Sequence, residues 1–275
     1  MEKMFFSIIM PALNEEQNIR AAVENTLQAF DDFEVDGEVI VINDGSTDRT
    51  PAIVSAIMAR DRRVRVIHHE RPQGIGAAFW DGVEQAKGNI VSMFPGDNEN
   101  DPWEALRYYK LLEHVDIVIP FAFNKEVRSV FRNLLSYIFR QIINRTFFVN
   151  FNYTNGTIFY RKSILEKIPQ RSTGFFFQTD ILIRTVKRGY LFAEVPYRLG
   201  VRPHGVSKAV SFPSLVNVIK GYVHLVRDIY STEGRKIRHA FVENSLTAER
   251  YNHQEKWQTE TKDIGERRNA TCQKN

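Results

Sequence analysis

The residues best placed to do chemistry are carboxylates that follow short apolar runs. Residues 89–94 (NIVSMF) lie between Gly88 and Pro95, the pattern of a buried strand. The run breaks into Pro95-Gly96-Asp97-Asn98-Glu99, and Asp101-Pro102 then reads as the N-cap and first residue of a helix. Asp97 and Glu99 therefore occupy a tight turn at the carboxyl end of a strand, the edge at which open α/β sheets bind ligands. Hard oxygen ligands on such a turn suit Mg²⁺ or Mn²⁺, and either ion clamps a diphosphate. The plain alternative is an acidic loop that only caps its helix.

Two further turns repeat the arrangement. Residues 5–10 (FFSIIM) read as a strand that ends near Glu15 and Glu16, and residues 38–43 (EVIVIN) as one that ends near Asp44 and Asp48. Helices are expected over 18–30, from the Thr50-Pro51 N-cap to residue 60, and over 74–87, with a third strand at 64–68. The helix at 74 is entered through Gly74-Ile75-Gly76, where backbone can approach a phosphate. This glycine pair lacks the third glycine and the first-strand position of a dinucleotide fingerprint, which argues against NAD. Four strands alternating with helices in under a hundred residues predict a doubly wound parallel sheet.

The chain has 275 residues, 43% of them hydrophobic and 25% charged, an ordinary globular composition for one large core. Its one cysteine, Cys272, rules out an internal disulfide and a cysteine-built zinc site. No apolar run reaches the ~18 residues of a membrane span and no secretory leader is read, so the expected location is the cytoplasm, with any membrane contact peripheral.

In order along the chain, Pro-Ala-Leu-Asn-Glu-Glu (11–16), Asn-Asp-Gly-Ser-Thr-Asp (43–48), Gly-Ile-Gly-Ala-Ala (74–78) and Pro-Gly-Asp (95–97) resemble the motifs of family-2 glycosyltransferases. The stretches at 174–180, 194–196 and 202–208 narrow the likeness to dolichyl-phosphate mannose synthase and the prokaryotic polyprenyl-phosphate glycosyltransferases, over about residues 5–230. The resemblance implies a GT-A fold, Rossmann-like, with C-terminal amphipathic helices, and an inverting hexosyltransferase that uses a GDP- or UDP-sugar. It implies that Pro11, Leu13, Glu15, Asn43, Asp44, Gly74, Gly76, Gly96 and Asp97 form the nucleotide-sugar site. It also implies that Asp97 and Glu99 hold Mg²⁺ or Mn²⁺. Asp97, Asp180, Arg202 and Lys208 are then the catalytic candidates, with Arg128, Arg132, Gln178 and Ser207 for the acceptor. Pro95 and Asn43 each stand where the family pattern has an acid, and Asn152 does so in the turn at 152–156.

From 127 to 165 there is no acidic residue, against Arg128, Arg132, Arg140, Arg145, Arg161 and Lys162, in a chain of formal net charge +4. Apolar residues recur there at helical spacing. Two alternatives follow: a basic amphipathic helix on an anionic membrane, or a core helix with a solvated basic face. Nucleic acid fits less well, because no stacking residues interleave the basic ones on a known binding fold. A second amphipathic helix is expected over 212–230, and from 233 a polar tail, partly helical or disordered. The expected acceptor is a polyprenyl phosphate at the cytoplasmic membrane face, with a membrane-anchored partner subunit as a further candidate. The alternatives are transfer to a sugar hydroxyl of a glycan, and nucleotide binding without catalysis.

Overall fold

The computed structural model describes residues 3–127, 129–168, 172–200, 212–231, 241–254 and 257. Arg128, Arg202, Ser207 and Lys208 lie outside the described residues.

Seven strands form one sheet in the order β3-β2-β1-β4-β6-β5-β7. They are β1 (Phe5–Ala12), β2 (Asp36–Asn43), β3 (Val64–His68), β4 (Ile90–Met93), β5 (Ile117–Ala122), β6 (Phe159–Arg161) and β7 (Phe192–Tyr197). β1 pairs in parallel with β2 and β4, β2 with β3, and β5 with β7; β6 runs antiparallel to both β4 and β5. The expected α/β, mostly parallel, doubly wound sheet is borne out. Ile8, Ile9, Met10 and residues 39–42 of β2 are fully buried, as unbroken apolar runs must be when helices cover both faces.

The helices are α1 (Ile19–Asp32), α2 (Thr50–Met58), α3 (Ile75–Gln85), α4 (Pro102–Leu106), α5 (Val130–Phe147), α6 (Lys162–Glu166), α7 (Phe177–Arg188), α8 (Phe212–Tyr230) and α9 (246–254). Alternate strand residues feed two separate cores. Phe6, Ile8 and Met10 pack with α1 and α2, whereas Ile9, Val91 and Met93 pack with α3 and α7. Asp101 caps α4 as its sequence predicts, accepting from the backbone N–H of Trp103 at 2.9 Å. Gly189 closes α7 in the left-handed region at φ 101°. Thr50, expected as an N-cap, instead lies inside α2 and accepts the Glu15 N–H at 2.9 Å, while Asp48 Oδ1 accepts the Thr50 N–H.

The described part of the tail, expected to be partly helical or disordered, contains a helix and docks on the domain. Residues 241–254 pack on the domain: Phe241 meets Tyr190 edge-on at 5.5 Å, and the Tyr190 hydroxyl accepts the Val242 N–H at 2.9 Å. The Asp116 carboxylate, fully buried, accepts the N–H groups of Leu246 (2.8 Å) and Thr247 (3.0 Å) at the start of α9, and Arg161 Nε donates to it at 3.0 Å. The domain therefore runs past residue 230. Among the described residues no helix is long and apolar enough to cross a membrane.

Candidate active site

β1, β2 and β4 lie side by side and point the same way, so the turns that follow them form one continuous edge. The turn after β1 is stitched to the turn after β2. Asn14, in the left-handed region at φ 57°, accepts the Thr47 N–H at 2.8 Å through its side chain and donates its own N–H to Ser46 Oγ at 3.0 Å. Glu16 N donates to Asp48 Oδ2 and Arg49 N to Glu16 Oε2. The turn after β4 joins the same edge through Gly96 N–H to Pro11 O at 3.0 Å. It contains a second left-handed asparagine, Asn98, at φ 56°. Pro11, Leu13, Glu15, Asn43, Asp44, Gly74, Gly96 and Asp97 thus share the carboxyl edge, as the motifs require.

Asn43 and Asp44 have distinct jobs. Asn43 accepts from Ser46 N and places its amide nitrogen 3.0 Å from His68 Nδ1, a donor role that an acid at 43 would not fill. Asp44 is buried and accepts the backbone N–H groups of Gln73 at 2.7 Å and Gly74 at 2.9 Å. It therefore ties the end of β2 to the entry of α3. Gly74 sits at φ 97°, a conformation that an L side chain rarely adopts. Gly76 answers a different need. A Cβ there would lie 2.5 Å from the Thr173 carbonyl carbon, and its N–H donates to Thr173 O at 3.0 Å. Gly76 thus gives room to the chain at 172–174.

Asp97 and Glu99 line a cavity of about 400 Å³. Asp97 Oδ1 accepts the Glu99 N–H at 3.1 Å, which sets the turn. Arg132 of α5 and Gln178 of α7 line the same cavity, with Phe139, Phe175, Phe176 and Phe177 giving it an aromatic wall. Gln178 is held by its amide donating to Gly156 O at 2.5 Å. Among the described residues no three His, Cys, Asp or Glu side chains gather into a metal-binding group. The Asp97–Glu99 pair therefore suits Mg²⁺ or Mn²⁺ of the kind that takes one or two carboxylates and fills its shell with substrate phosphates and water.

Asp180 is not part of that cavity. It is 4% exposed and receives Arg184 Nε at 3.0 and 3.1 Å, and it borders a second hollow of about 620 Å³ shared with Gly74, Lys220 and His224. Burial pushes its pKa up, and the adjacent Arg184 guanidinium works against that rise. The sequence reading placed Asp180 with Asp97; the turn of α7 sends Gln178 and Asp180 to different hollows. It missed Glu194 as a partner for Asn152. Glu194 accepts the Asn152 N–H at 2.7 Å and its side-chain amide at 3.1 Å, the second a contact that an aspartate carboxylate at 152 could not donate.

The face of the molecule beside this cavity is apolar and open. On α5 only Ile143 and Phe147 are buried, while Val130 is 84% and Phe131 66% exposed, with Leu134, Tyr137, Ile138 and Ile142 also exposed. Among the described residues, therefore, only the inner end of α5 joins the core, where Phe139 also packs against it. α8 packs on its inner end, where the Tyr222 hydroxyl lies 2.8 Å from Thr146 Oγ1, and leaves Leu215, Ile219 and Val223 exposed.

Comparison with known proteins agrees with this architecture. The chain is 26% identical over 211 residues to dodecaprenyl-phosphate galacturonate synthase of Rhizobium johnstonii, covering 75% of this chain and 62% of that one. It spans less than two thirds of the length of the curated relatives it matches. Among solved structures it resembles glucosyl-3-phosphoglycerate synthase of Mycobacterium tuberculosis crystallised with Mg²⁺ and uridine diphosphate. The TM-score is 0.61 at 25% identity, covering 81% of this chain and 79% of that one. The same enzyme with Mn²⁺, uridine diphosphate and phosphoglyceric acid gives a TM-score of 0.59 at 25% identity, covering 81% and 78%. The profile of glycosyl transferase family 2 matches residues 7–169, and with the carboxylate-lined strand edge already in place the chain belongs to that family.

Proposed function

We propose that the protein transfers a sugar from a nucleotide sugar, with UDP or GDP as its nucleotide, to a polyprenyl phosphate at the cytoplasmic face of a membrane. One observation carries the reading. The Asp97–Glu99 turn shares its cavity with Arg132, and Arg132 belongs to a helix whose outer surface is exposed and apolar. Asp97 and Glu99 would hold Mg²⁺ or Mn²⁺ on the donor diphosphate; when bound, the ion offsets the charge of the departing nucleoside diphosphate. Arg132 holds the acceptor phosphate as a charged donor, with Arg128, Arg202, Ser207 and Lys208 assigned to the same task from sequence. A phosphate oxygen forms the new bond to the anomeric carbon as the bond to the diphosphate breaks. That oxygen is already anionic near neutral pH, so no general base is required, in keeping with an Asp180 committed to Arg184. The name of the Rhizobium relative, which includes dodecaprenyl phosphate, supports the acceptor class. The uridine diphosphate and divalent ions of the mycobacterial structures support the donor and metal.

A second reading, transfer to a hydroxyl of a soluble phosphate-bearing acid, draws on the phosphoglyceric acid bound by the mycobacterial enzyme. The test is a thermal-shift screen of UDP- and GDP-sugars with Mg²⁺, Mn²⁺ or chelator, followed by transfer assays with undecaprenyl phosphate and with phosphoglycerate. Metal-dependent donor binding and a labelled lipid are the expected results. Label on phosphoglycerate alone selects the second reading. No transfer, with donor binding retained, marks a nucleotide-binding protein without catalysis.

A further inference from the structure

His69 follows β3 directly, and its side chain is 5% exposed. Its backbone N–H donates to Asn43 O at 2.9 Å, so the β2–β3 ladder fixes where the ring sits. The ring lies between carboxylates from two different elements. Nδ1 is 2.7 Å from Asp44 Oδ1, and Nε2 is 2.9 Å from Asp81 Oδ2 on α3. The first contact is an aligned hydrogen bond; the second is an ion-pair approach without that alignment. An ionised carboxylate only accepts, so the aligned Asp44 contact places a hydrogen on Nδ1.

The Asp44 carboxylate is the hinge of this arrangement. Besides His69 it receives the N–H groups of Gln73 and Gly74. No side chain caps α3, so these contacts hold its entry. Ile75, the next residue, walls the cavity that contains Asp97 and also the second hollow. Rotation of the Asp44 carboxylate would release both amides and move that wall.

We infer that His69 is a positioning residue for the donor diphosphate: it locks Asp44 in the orientation that clasps the Gln73–Gly74 turn, and so sets the start of α3 against the ligand edge. The ligand half of this inference rests on the glycosyltransferase reading above; the clasp rests on geometry alone.

Three substitutions separate the two ring nitrogens. Asparagine places an amide nitrogen near the Nδ1 position, glutamine near Nε2, and phenylalanine keeps the ring without donors. Two readouts are needed: hydrogen exchange of the backbone at 70–77 in ligand-free protein, and calorimetric affinity for uridine or guanosine diphosphate with Mn²⁺. His69→Phe and His69→Gln are expected to speed exchange at Gln73 and Gly74 and to weaken the nucleotide, each about tenfold or more. His69→Asn is expected to recover most of both. A His69→Phe protein that exchanges and binds like wild type overturns the inference, as does His69→Asn matching His69→Phe. Equal losses in all three, with a matching fall in melting temperature, show a structural role only and also overturn it. A wild-type chain that binds neither diphosphate overturns the glycosyltransferase reading and the ligand half of the inference; the exchange data then decide the clasp on their own.

Discussion

Arg184 places its Nε 3.0 and 3.1 Å from the two carboxylate oxygens of Asp180, one turn away on α7, and its Nη2 2.7 Å from Asp228 on α8. The acid that the sequence offers as a catalytic candidate is thus one end of a bridge whose middle, Arg184, ties α7 to α8. Arg184 is itself 7% exposed, so each charge in the bridge depends on its partners for the solvation it has lost.

Asp180→Asn should therefore act on stability more than on chemistry. Loss of a buried hydrogen bond to a charged group costs ~1.5–3 kcal/mol, measured as a lower urea midpoint. Loss of a general base would cost about 10²–10⁴ in rate, and the fall in kcat should stay below that range with folded protein. Arg202→Ala or Lys208→Ala should raise the acceptor KM instead.

The pH dependence of the same group has a definite sign. Burial raises the Asp180 pKa above its ordinary 3.8, so between those two values the native state holds a proton that the unfolded chain has released. Its contribution to stability is fully present below 3.8 and is lost as pH rises through the raised value. Asp180→Asn should flatten that segment of a stability-against-pH curve. An unchanged curve would place the titration elsewhere.

Asp97→Ala should abolish measurable transfer, with a loss of about 10²–10³-fold or more, and chelator should reproduce the defect in wild type. Glu99→Gln keeps the turn and removes one charge; the expected effect is a ~10–100-fold weaker apparent metal affinity, seen as a rightward shift of the Mn²⁺ activation curve.

Vesicle flotation tests the exposed face of α5. Each apolar side chain that enters the interface contributes ~1.5–3 kcal/mol and each nearby Arg about 1 kcal/mol, weakened by salt. Phe131→Glu with Leu134→Glu should cut binding to anionic vesicles at least tenfold while leaving the melting temperature unchanged, since both residues are exposed. Wild type that floats with neither anionic nor neutral vesicles would oppose a membrane surface as the partner, and equal flotation with both would remove the basic residues from the attraction.

Asp116→Ala should detach α9 and leave Arg161 without its carboxylate, a loss of ~3–5 kcal/mol for a broken buried pair. Limited proteolysis should then cut within 241–254 well before the rest of the domain.

Local rules were enough for the nucleotide half of the chain. Alternating apolar runs and turns located β1 to β4, because parallel strands buried on both faces leave continuous hydrophobic segments. The same carboxyl-edge logic brought Asp44, Gly74 and Asp97 together before any contact was known. Residues 64–68 and 212–230 were bounded correctly from sequence, and so were the Asp101 and Gly189 caps, since each is set by neighbours in the chain. Tertiary structure alone decided the rest. β6 has three residues, too few to show a period, and its antiparallel place between β4 and β5 is fixed by pairing. The docking of α9 depends on Asp116, 130 residues away from Leu246, a distance that no local pattern spans. His69 between Asp44 and Asp81, and Asp180 turned from the Asp97–Glu99 turn toward Arg184, follow from how β3, α3, α7 and α8 meet. A side chain's chemistry is written in the sequence, but its partners are chosen by the packing that buries it.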